Sequence, residues 1–193
     1  MTRIIAGSAK GQRLAAPAGA DTRPTTDRVR EAVFSLILDW AGTVSEPPET
    51  ALRGFSFLDL YAGSGAVALE AASRGAAPVV AVEQNPKTAA LIKANAQRTG
   101  LSVQVLAQSV NTAALTGSFD VVYADPPYAL AGGSVTTAIA ALADAGHLAA
   151  DALVIVERST RSEALDIPKG FHPLPIRRYG ETVLVFWTRE EPQ

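Results

Sequence analysis

The chain has 193 residues, of which 48% are hydrophobic, 19% are charged and none is cysteine. This composition predicts one folded domain with a buried core, while the lack of cysteine excludes a disulfide framework, thiolate catalysis and cysteine-based zinc sites. The formal net charge of −2 conceals an asymmetry: residues 1–30 hold six basic and two acidic side chains, whereas residues 31–193 hold eleven basic and seventeen acidic ones.

The basic N-terminal segment reads as a short hairpin. Residues 3–6 and 12–14 flank the loop Gly-Ser-Ala-Lys-Gly, so we divide the chain into a basic hairpin extension, residues 1–24, and a main domain, residues 25–193. A basic arm on an acidic body favours a polyanionic partner, such as a nucleic acid. The residues predicted to bind it are Arg3, Lys10, Arg13, Arg23, Arg28 and Arg30.

The next segment is predicted to be an amphipathic helix. Thr26 and its neighbours provide an N-cap, and Val29, Val33, Ile37 and Trp40 recur at helical spacing as far as residue 40. This helix is expected to dock on the main domain.

Beyond the proline-containing loop at residues 42–53, apolar runs alternate with small-residue turns and helical stretches, which is typical of parallel βαβ units. Helices are predicted over residues 66–74, 86–99 and 133–145. The predicted strands are Phe55–Leu60, Val79–Glu83, Val103–Ala107, Phe119–Ala124, Ala152–Glu157, a stretch before Arg177, and Thr182–Trp187. Only residues 179–181 separate the last two, so these are predicted to form an antiparallel hairpin at one edge of the sheet.

The first strand of this series runs into a glycine loop. Tyr61-Ala62-Gly63-Ser64-Gly65 lies between the strand and a helix start, and glycines there let a ligand approach the backbone and the free amides of the helix N-terminus. Glu83 ends the next strand, where a ribose-binding acid is expected. This pattern predicts a site for a nucleotide-containing cofactor.

Asp59 indicates which cofactor. A carboxylate at the mouth of the loop would repel the pyrophosphate of a dinucleotide, whereas it favours the ammonium and sulfonium groups of S-adenosylmethionine. The sequence therefore favours S-adenosylmethionine over NAD.

Asp125-Pro126-Pro127-Tyr128 follows the fourth strand. Two prolines fix the backbone and remove two donors, leaving rigid acceptors beside the carboxylate. Hydrogen bonds from both protons of an exocyclic amine favour its localised, nucleophilic form, and Tyr128 offers a face on which a base can stack. The tetrad predicts chemistry on a planar amine.

Two of these motifs resemble class I S-adenosylmethionine-dependent methyltransferases that modify exocyclic amino groups: Asp59–Gly65 is similar to their motif I and Asp125–Tyr128 to their motif IV. Residues 23–31, 69–76 and 179–182 resemble, more narrowly, the RsmD family of 16S ribosomal RNA (guanine-N2)-methyltransferases. The resemblance spans nearly the whole chain.

The resemblance implies an α/β, Rossmann-like class I methyltransferase fold: a seven-stranded, mostly parallel sheet with an antiparallel C-terminal hairpin strand, plus a small N-terminal hairpin and helix. It implies methyl transfer from S-adenosylmethionine to the N2 amine of a guanine in 16S rRNA, leaving S-adenosylhomocysteine, without a metal. The implied substrate is a small-subunit ribosomal particle or assembly intermediate. We expect a cytoplasmic monomer without membrane contact.

Roles are carried over by position. Asp59, Gly63 and Gly65 would hold the methionine part of the cofactor, with Ala62 as a further cofactor contact. Glu83 would hold the ribose, and the target amine would be held by Asp125, Pro126, Pro127 and Tyr128. The third strand ends in Gln108-Ser109-Val110, where the family often has an acid or amide, so Ser109 or the Val110 amide is the candidate for the adenine. Asn85 is a further candidate cofactor contact.

Two other interpretations remain open on the residues alone. A DNA adenine-N6 or protein-glutamine methyltransferase would use the same Asp-Pro-Pro-Tyr chemistry. A noncatalytic Rossmann-like module that binds a nucleotide or RNA is the alternative of a different class; Asp59 argues against a dinucleotide, and the two prolines argue against binding alone.

Overall fold

The computed structural model describes residues 2–17 and 26–189. Strands β1 (Thr2–Arg3) and β2 (Arg13–Leu14) form a small hairpin. A seven-stranded sheet contains the others: β3 (Phe57–Leu60), β4 (Val79–Val82), β5 (Gln104–Leu106), β6 (Phe119–Ala124), β7 (Leu148–Ser159), β8 (Phe171–Tyr179) and β9 (Thr182–Arg189).

The order of strands in the sheet is β5-β4-β3-β6-β7-β9-β8. Strands β3 to β7 are parallel, whereas β9 is antiparallel to both β7 and β8. The chain leaves β3 towards β4 and β5 on one side and then returns to β6 on the other side. The direction of winding therefore changes between β3 and β6, and in such sheets ligands bind at the carboxyl ends of the two strands that flank this switch point.

Four helices complete the described part of the chain: α1 (Asp27–Ala41), α2 (Ala66–Ser73), α3 (Pro86–Thr99) and α4 (Gly132–Asp144). The Thr26 hydroxyl caps α1 by accepting the Val29 N–H at 3.3 Å, as the sequence predicts. Helices α1 and α2 pack on one face of the sheet, and α4 packs on the other. None of the helices in the described residues is both long enough and apolar enough to span a membrane.

The predicted fold class is confirmed, and the differences lie at element ends. Strand β7 is longer than predicted because its first residue, Leu148, pairs with Phe119 ahead of an irregularity in the register. Strand β8 runs through Pro173 and Pro175, which cannot donate to a neighbouring strand. It tolerates them because it lies at the edge of the sheet and pairs with β9 alone.

The N-terminal hairpin packs directly on α2 and α3. Ile4, Ala9 and Leu14 share a buried cluster with Leu69 and other residues of these helices. Gly7 has φ +82°, and a Cβ there would lie 1.9 Å from the Ser73 carbonyl oxygen, so only glycine fits. The predicted boundary at residues 24 and 25 lies outside the described residues, but the hairpin shares its core with the main fold.

Candidate active site

The glycine loop lies where β3 runs into α2, at the switch point of the sheet. Gly65 has φ +75°, and a Cβ there would lie 2.6 Å from Cγ2 of Ile92 on α3, so a side chain at this position would force the loop and α3 apart. Tyr61 also has a positive φ, +61°, which is a strained conformation for a residue with a side chain. The sequence patterns did not indicate this strain.

Asp59 lies within β3, between Ala81 of β4 and Tyr123 of β6. Its carboxylate is only 2% exposed and accepts the Ala68 N–H of α2 at 3.0 Å. Burial raises the pKa of Asp59 to about 8; the Ala68 hydrogen bond opposes this rise and the charge of Glu83 adds to it. Asp59 therefore lies beneath the glycine loop, in a far more enclosed position than the loop-mouth carboxylate that the sequence suggested.

Glu83 follows β4 and lies against the glycine loop. Its carboxylate accepts the Gly63 N–H at 2.9 Å and the Asn85 N–H at 2.8 Å. These contacts fix the loop relative to the next strand. A carboxylate has about four acceptor positions, so Glu83 retains acceptor capacity for a pair of hydroxyl groups.

Asn85 is the N-cap residue of helix α3. Its side-chain oxygen caps α3 by accepting the N–H groups of Lys87 at 3.0 Å and Thr88 at 3.3 Å. Only its side-chain NH₂ group is left for the cofactor contact predicted from the sequence.

Ser109 and Val110 lie just beyond β5, at the same edge of the sheet. Val110 begins a short 3₁₀ helix that ends at Thr112, and the hydroxyls of Ser109 and Thr112 are 3.1 Å apart. The structure thus brings Ser109 and Val110 to the edge that carries Glu83 and the glycine loop.

The Asp-Pro-Pro-Tyr tetrad begins where β6 ends, on the other side of the switch point. The Asp125 N–H approaches the Leu60 carbonyl of β3 at 3.4 Å, which joins the tetrad to the strand that leads into the glycine loop. The Pro127 carbonyl accepts the Leu130 N–H at 2.9 Å and closes a turn. Tyr128 is 63% exposed, so its ring is accessible to a stacking partner.

Three carboxyl groups converge at this point. Burial raises the pKa of Asp125 well above its usual range, the charges of Glu157 and Asp59 raise it further, and Arg158 lowers it. Asp125 is partly exposed, whereas Asp59 is enclosed. A cation placed here would be attracted by the ionised forms of these acids and would favour their ionisation.

Sequence reasoning missed the contribution of β7 to this site. Glu157 accepts a short hydrogen bond from the hydroxyl of Tyr123, a fully buried residue of β6. Arg158 is 6% exposed and donates to the Leu130 carbonyl at 3.2 Å, which ties β7 to the turn that follows the tetrad. A signal existed, because Glu157 and Arg158 follow the apolar run of residues 152–156, just as Glu83 and Asp125 each follow an apolar run.

Among the side chains predicted to bind RNA, four are exposed in the structure and one, described below, is buried. Arg3, Lys10, Arg13 and Arg28 are exposed, and Arg3 lies 3.4 Å from the Asp27 carboxylate. Arg23 lies outside the described residues.

The prediction for Arg30 is wrong. Its side chain is 0% exposed and donates to the Arg3 carbonyl at 2.6 Å and to Asp27 at 2.9 Å. It also lies 4.0 Å from the buried carboxylate of Glu70. A guanidinium enclosed in this way holds α1 against the hairpin and cannot reach a phosphate.

Comparison with known proteins establishes the family. The family described as "Conserved hypothetical protein 95" matches residues 2–188. The chain belongs to this family. Its relatives include "Ribosomal RNA small subunit methyltransferase D" of Escherichia coli K12, 34% identical over 97% of this chain and 90% of that protein. A Haemophilus influenzae protein of the same name is 31% identical over 80% of this chain and 77% of its own length. The family resemblance seen in the sequence is confirmed.

Two solved structures that this chain covers over nearly their whole length show the same fold. The Escherichia coli protein yhhF superposes with a TM-score of 0.81 at 28% identity, covering 99% of both chains. A hypothetical protein of Thermus thermophilus gives a TM-score of 0.75 at 33% identity, covering 100% of both chains. The whole described chain, including the N-terminal hairpin, therefore has counterparts in these structures.

Proposed function

We propose that this protein transfers a methyl group from S-adenosylmethionine to the exocyclic N2 amine of a guanine in 16S rRNA of the small ribosomal subunit. The observation that carries the proposal is the Asp-Pro-Pro-Tyr tetrad at the switch point, directly beside the glycine loop. The named relatives, which are ribosomal RNA small subunit methyltransferases, supply the substrate class.

The residues around the glycine loop fit S-adenosylmethionine. A Cβ at Gly65 would displace the loop, and enclosed acids suit the ammonium and sulfonium groups better than a pyrophosphate. Asp59 would attract the methionine ammonium, Ala62, Gly63 and Gly65 would line the methionine part, and Glu83 would accept the ribose hydroxyls. Ser109, the Val110 amide and Asn85 would lie around the adenosine. The bound cofactor supplies a methyl group activated by the positive sulfur.

The tetrad would activate the amine. The Pro127 oxygen is engaged with the Leu130 N–H, so the Asp125 carboxylate and the Pro126 carbonyl are the two acceptors we assign to the amine protons. Accepting both protons localises the lone pair on nitrogen, and Tyr128 stacks on the base to aim that lone pair. Asp125 must be ionised before the transfer to act as this acceptor.

Asp125 would also receive the proton that the amine loses. Once the amine nitrogen has taken up the methyl group it would carry a positive charge, so one of its protons must leave. The raised pKa of Asp125 makes it a better proton acceptor than an ordinary aspartate, and its partial exposure gives the proton a route to water.

The exposed cations of the N-terminal segment would contact RNA phosphates: Arg3, Lys10, Arg13, Arg28 and, outside the described residues, Arg23. We expect the substrate to be a ribosomal particle or assembly intermediate in the cytoplasm, and the protein to act as a monomer.

Single-turnover methylation of small-subunit particles that lack the modification tests the proposal. Asp125→Ala should lower the rate by ~10²–10³ because a preorganised acceptor is lost, and Asp125→Asn should lie between wild type and Ala. Affinity for S-adenosylmethionine should change much less. Asp151→Asn, an exposed acid early in β7, is the matched control. A wild-type rate for Asp125→Ala would refute the catalytic role, and a product other than N2-methylguanosine would refute the specificity.

A further inference from the structure

The β8–β9 hairpin places a second basic surface at the carboxyl ends of the parallel strands β3 to β7, which we call the catalytic edge of the sheet. Because β9 runs antiparallel to β7, its first residue, Thr182, pairs with Ser159 at the carboxyl end of β7. Tyr179, the last residue of β8, pairs with Thr182 in turn. The hairpin turn therefore lies at the edge of the sheet that carries the tetrad.

The strand register places two arginines in line with the tetrad. Glu157 pairs with Leu184, which pairs with Arg177, and the next row contains Arg158, Val183 and Arg178. Asp125 follows Ala124, whose partner is Val156, so Asp125 lies beside the row of Glu157. Three strand spacings separate β6 from β8, which puts Arg177 about 14 Å from Asp125 across the sheet.

Both arginines are exposed, and within the described residues neither forms an ion pair. Arg161, in the turn after β7, differs because it pairs with Glu181 at 3.0 Å. Successive residues of a strand point to opposite faces, so Arg177 and Arg178 present one guanidinium on each side of the sheet edge. These two exposed cations contrast with the rest of residues 31–193, which together carry a net negative charge.

The turn of the N-terminal hairpin does not reach this position. Its turn lies at the far end of α2, where Ser8 donates to the Ser73 carbonyl at 2.7 Å. Helix α2 starts at the glycine loop and rises about 10 Å before it reaches Ser73. Lys10, in that turn, therefore lies well behind the catalytic edge, whereas Arg177 and Arg178 lie on it.

We propose that Arg177 and Arg178 bind the phosphate backbone of the RNA next to the target base and so hold the substrate at the catalytic edge. The proposal rests on the proposed function for the identity of the substrate. A guanidinium pairs well with phosphate oxygens, and a distance of about 14 Å corresponds to backbone a few nucleotides from a base held at Asp125.

The test compares the double variant Arg177→Ala/Arg178→Ala with wild type in binding to unmodified small-subunit particles from 50 to 300 mM salt. We expect roughly tenfold weaker binding at the middle of this range, because two solvent-exposed charge contacts are lost. The slope of log affinity against log salt should fall by ~0.7 to 0.9 for each contact. The single variants show which face of the strand meets the RNA.

Two variants serve as controls. Arg177→Lys/Arg178→Lys keeps both charges and should retain most of the salt slope. Arg53→Ala removes an exposed arginine that precedes β3, at the opposite edge of the sheet, and should bind like wild type. Wild-type affinity and slope in the double Ala variant would overturn the proposal, as would an equal loss in Arg53→Ala.

Weaker binding with an unchanged salt slope would also overturn the proposal and would assign the contact to a ribosomal protein. Methyl transfer by the wild type, measured on the same particles, tests the proposed function separately. Wild-type binding without methylation would refute that function and leave the binding test of the arginine pair intact.

Discussion

Asp59→Asn removes the charge from the buried acid beneath the glycine loop and keeps an oxygen for the Ala68 N–H. Burial raises the pKa of Asp59 from 3.8 to about 8, so the folded protein without cofactor holds this group mostly protonated at pH 7, whereas the unfolded chain ionises it above about pH 4. The substitution should therefore stabilise the protein without cofactor and weaken its binding of a cationic cofactor.

The sign and size of the stability effect follow from linkage. An acid whose pKa is higher in the folded state contributes stability that is fully present below its unfolded pKa and is lost as pH rises towards the folded value. The wild type should lose about 1.4 kcal/mol per pH unit relative to Asp59→Asn between about pH 4 and pH 8. The difference in unfolding free energy should reach several kcal/mol at pH 8 and vanish near pH 4.

The affinity for S-adenosylmethionine should change in the opposite direction, because it should rise as Asp59 becomes ionised. Only about one-tenth of Asp59 is ionised at pH 7, so wild-type affinity for S-adenosylmethionine should rise about tenfold per unit between pH 6 and pH 7 and level off near pH 8. Asp125 stays in both proteins, but the charge of Asp59 helps to raise its pKa, so the difference between the two pH profiles reports Asp59 together with its effect on Asp125.

Denaturant unfolding at pH 5, 6, 7 and 8 measures the stability difference, and calorimetry in two buffers of different ionisation enthalpy measures the protons released on cofactor binding. Wild type should release close to one proton more than Asp59→Asn at pH 7. Equal stability of the two proteins across this range, or parallel pH profiles of cofactor affinity, would refute the role assigned to Asp59.

Two further substitutions test neighbouring acids. Glu83→Ala should weaken S-adenosylmethionine binding by ~1.5–3 kcal/mol because charge-assisted hydrogen bonds to the ribose are lost, and Glu83→Gln should recover part of the lost affinity. Calorimetry on the folded variants measures both affinities, and an unchanged affinity in Glu83→Ala would contradict the assignment. Glu157→Gln removes a charge that raises the pKa of Asp125, so the rising limb of the pH profile of single-turnover methyl transfer should move to lower pH. An unmoved limb would mean that Glu157 does not act on Asp125.

The sheet and its ligand-binding edge could be predicted because their signals are local. Strand β6 starts at Phe119 and ends at Ala124, as predicted, since a buried parallel strand reads as a nearly continuous apolar run. The glycine loop, Glu83 and the tetrad each follow such a run. Parallel strands bring their carboxyl ends to one edge, so the sequence also places these groups together.

What could not be predicted depends on contacts between distant segments. Glu157 and Arg158 follow an apolar run as Glu83 does, but their importance depends on Tyr123 and Leu130, which reach them through strand pairing and the turn after the tetrad. The pKa of Asp59 likewise follows from the layer of α2 above it, which encloses a carboxylate that the sequence suggested was at the loop mouth.

Arg30 counts among the predicted RNA-binding cations because it is basic, although the helical periodicity of its neighbours places it on a buried face. Arg30 precedes Val33, Phe34 and Ile37 at intervals of three, four and seven residues, which places it on the buried face of α1. There it meets Glu70, whose carboxylate also accepts the N–H groups of Ile5 at 2.7 Å and Ala6 at 2.9 Å.

Residues 26–31 and 69–76, which belong to two of the segments that resemble the family, thus meet at a buried ion pair that fastens the N-terminal hairpin to α1 and α2. One of the six basic residues in the first thirty therefore has a structural role, and Lys10 is fixed behind the catalytic edge. A substrate that must place one base at Asp125 needs a phosphate contact nearer to that edge, and in the described fold Arg177 and Arg178 supply exposed cations in the strand rows that adjoin it.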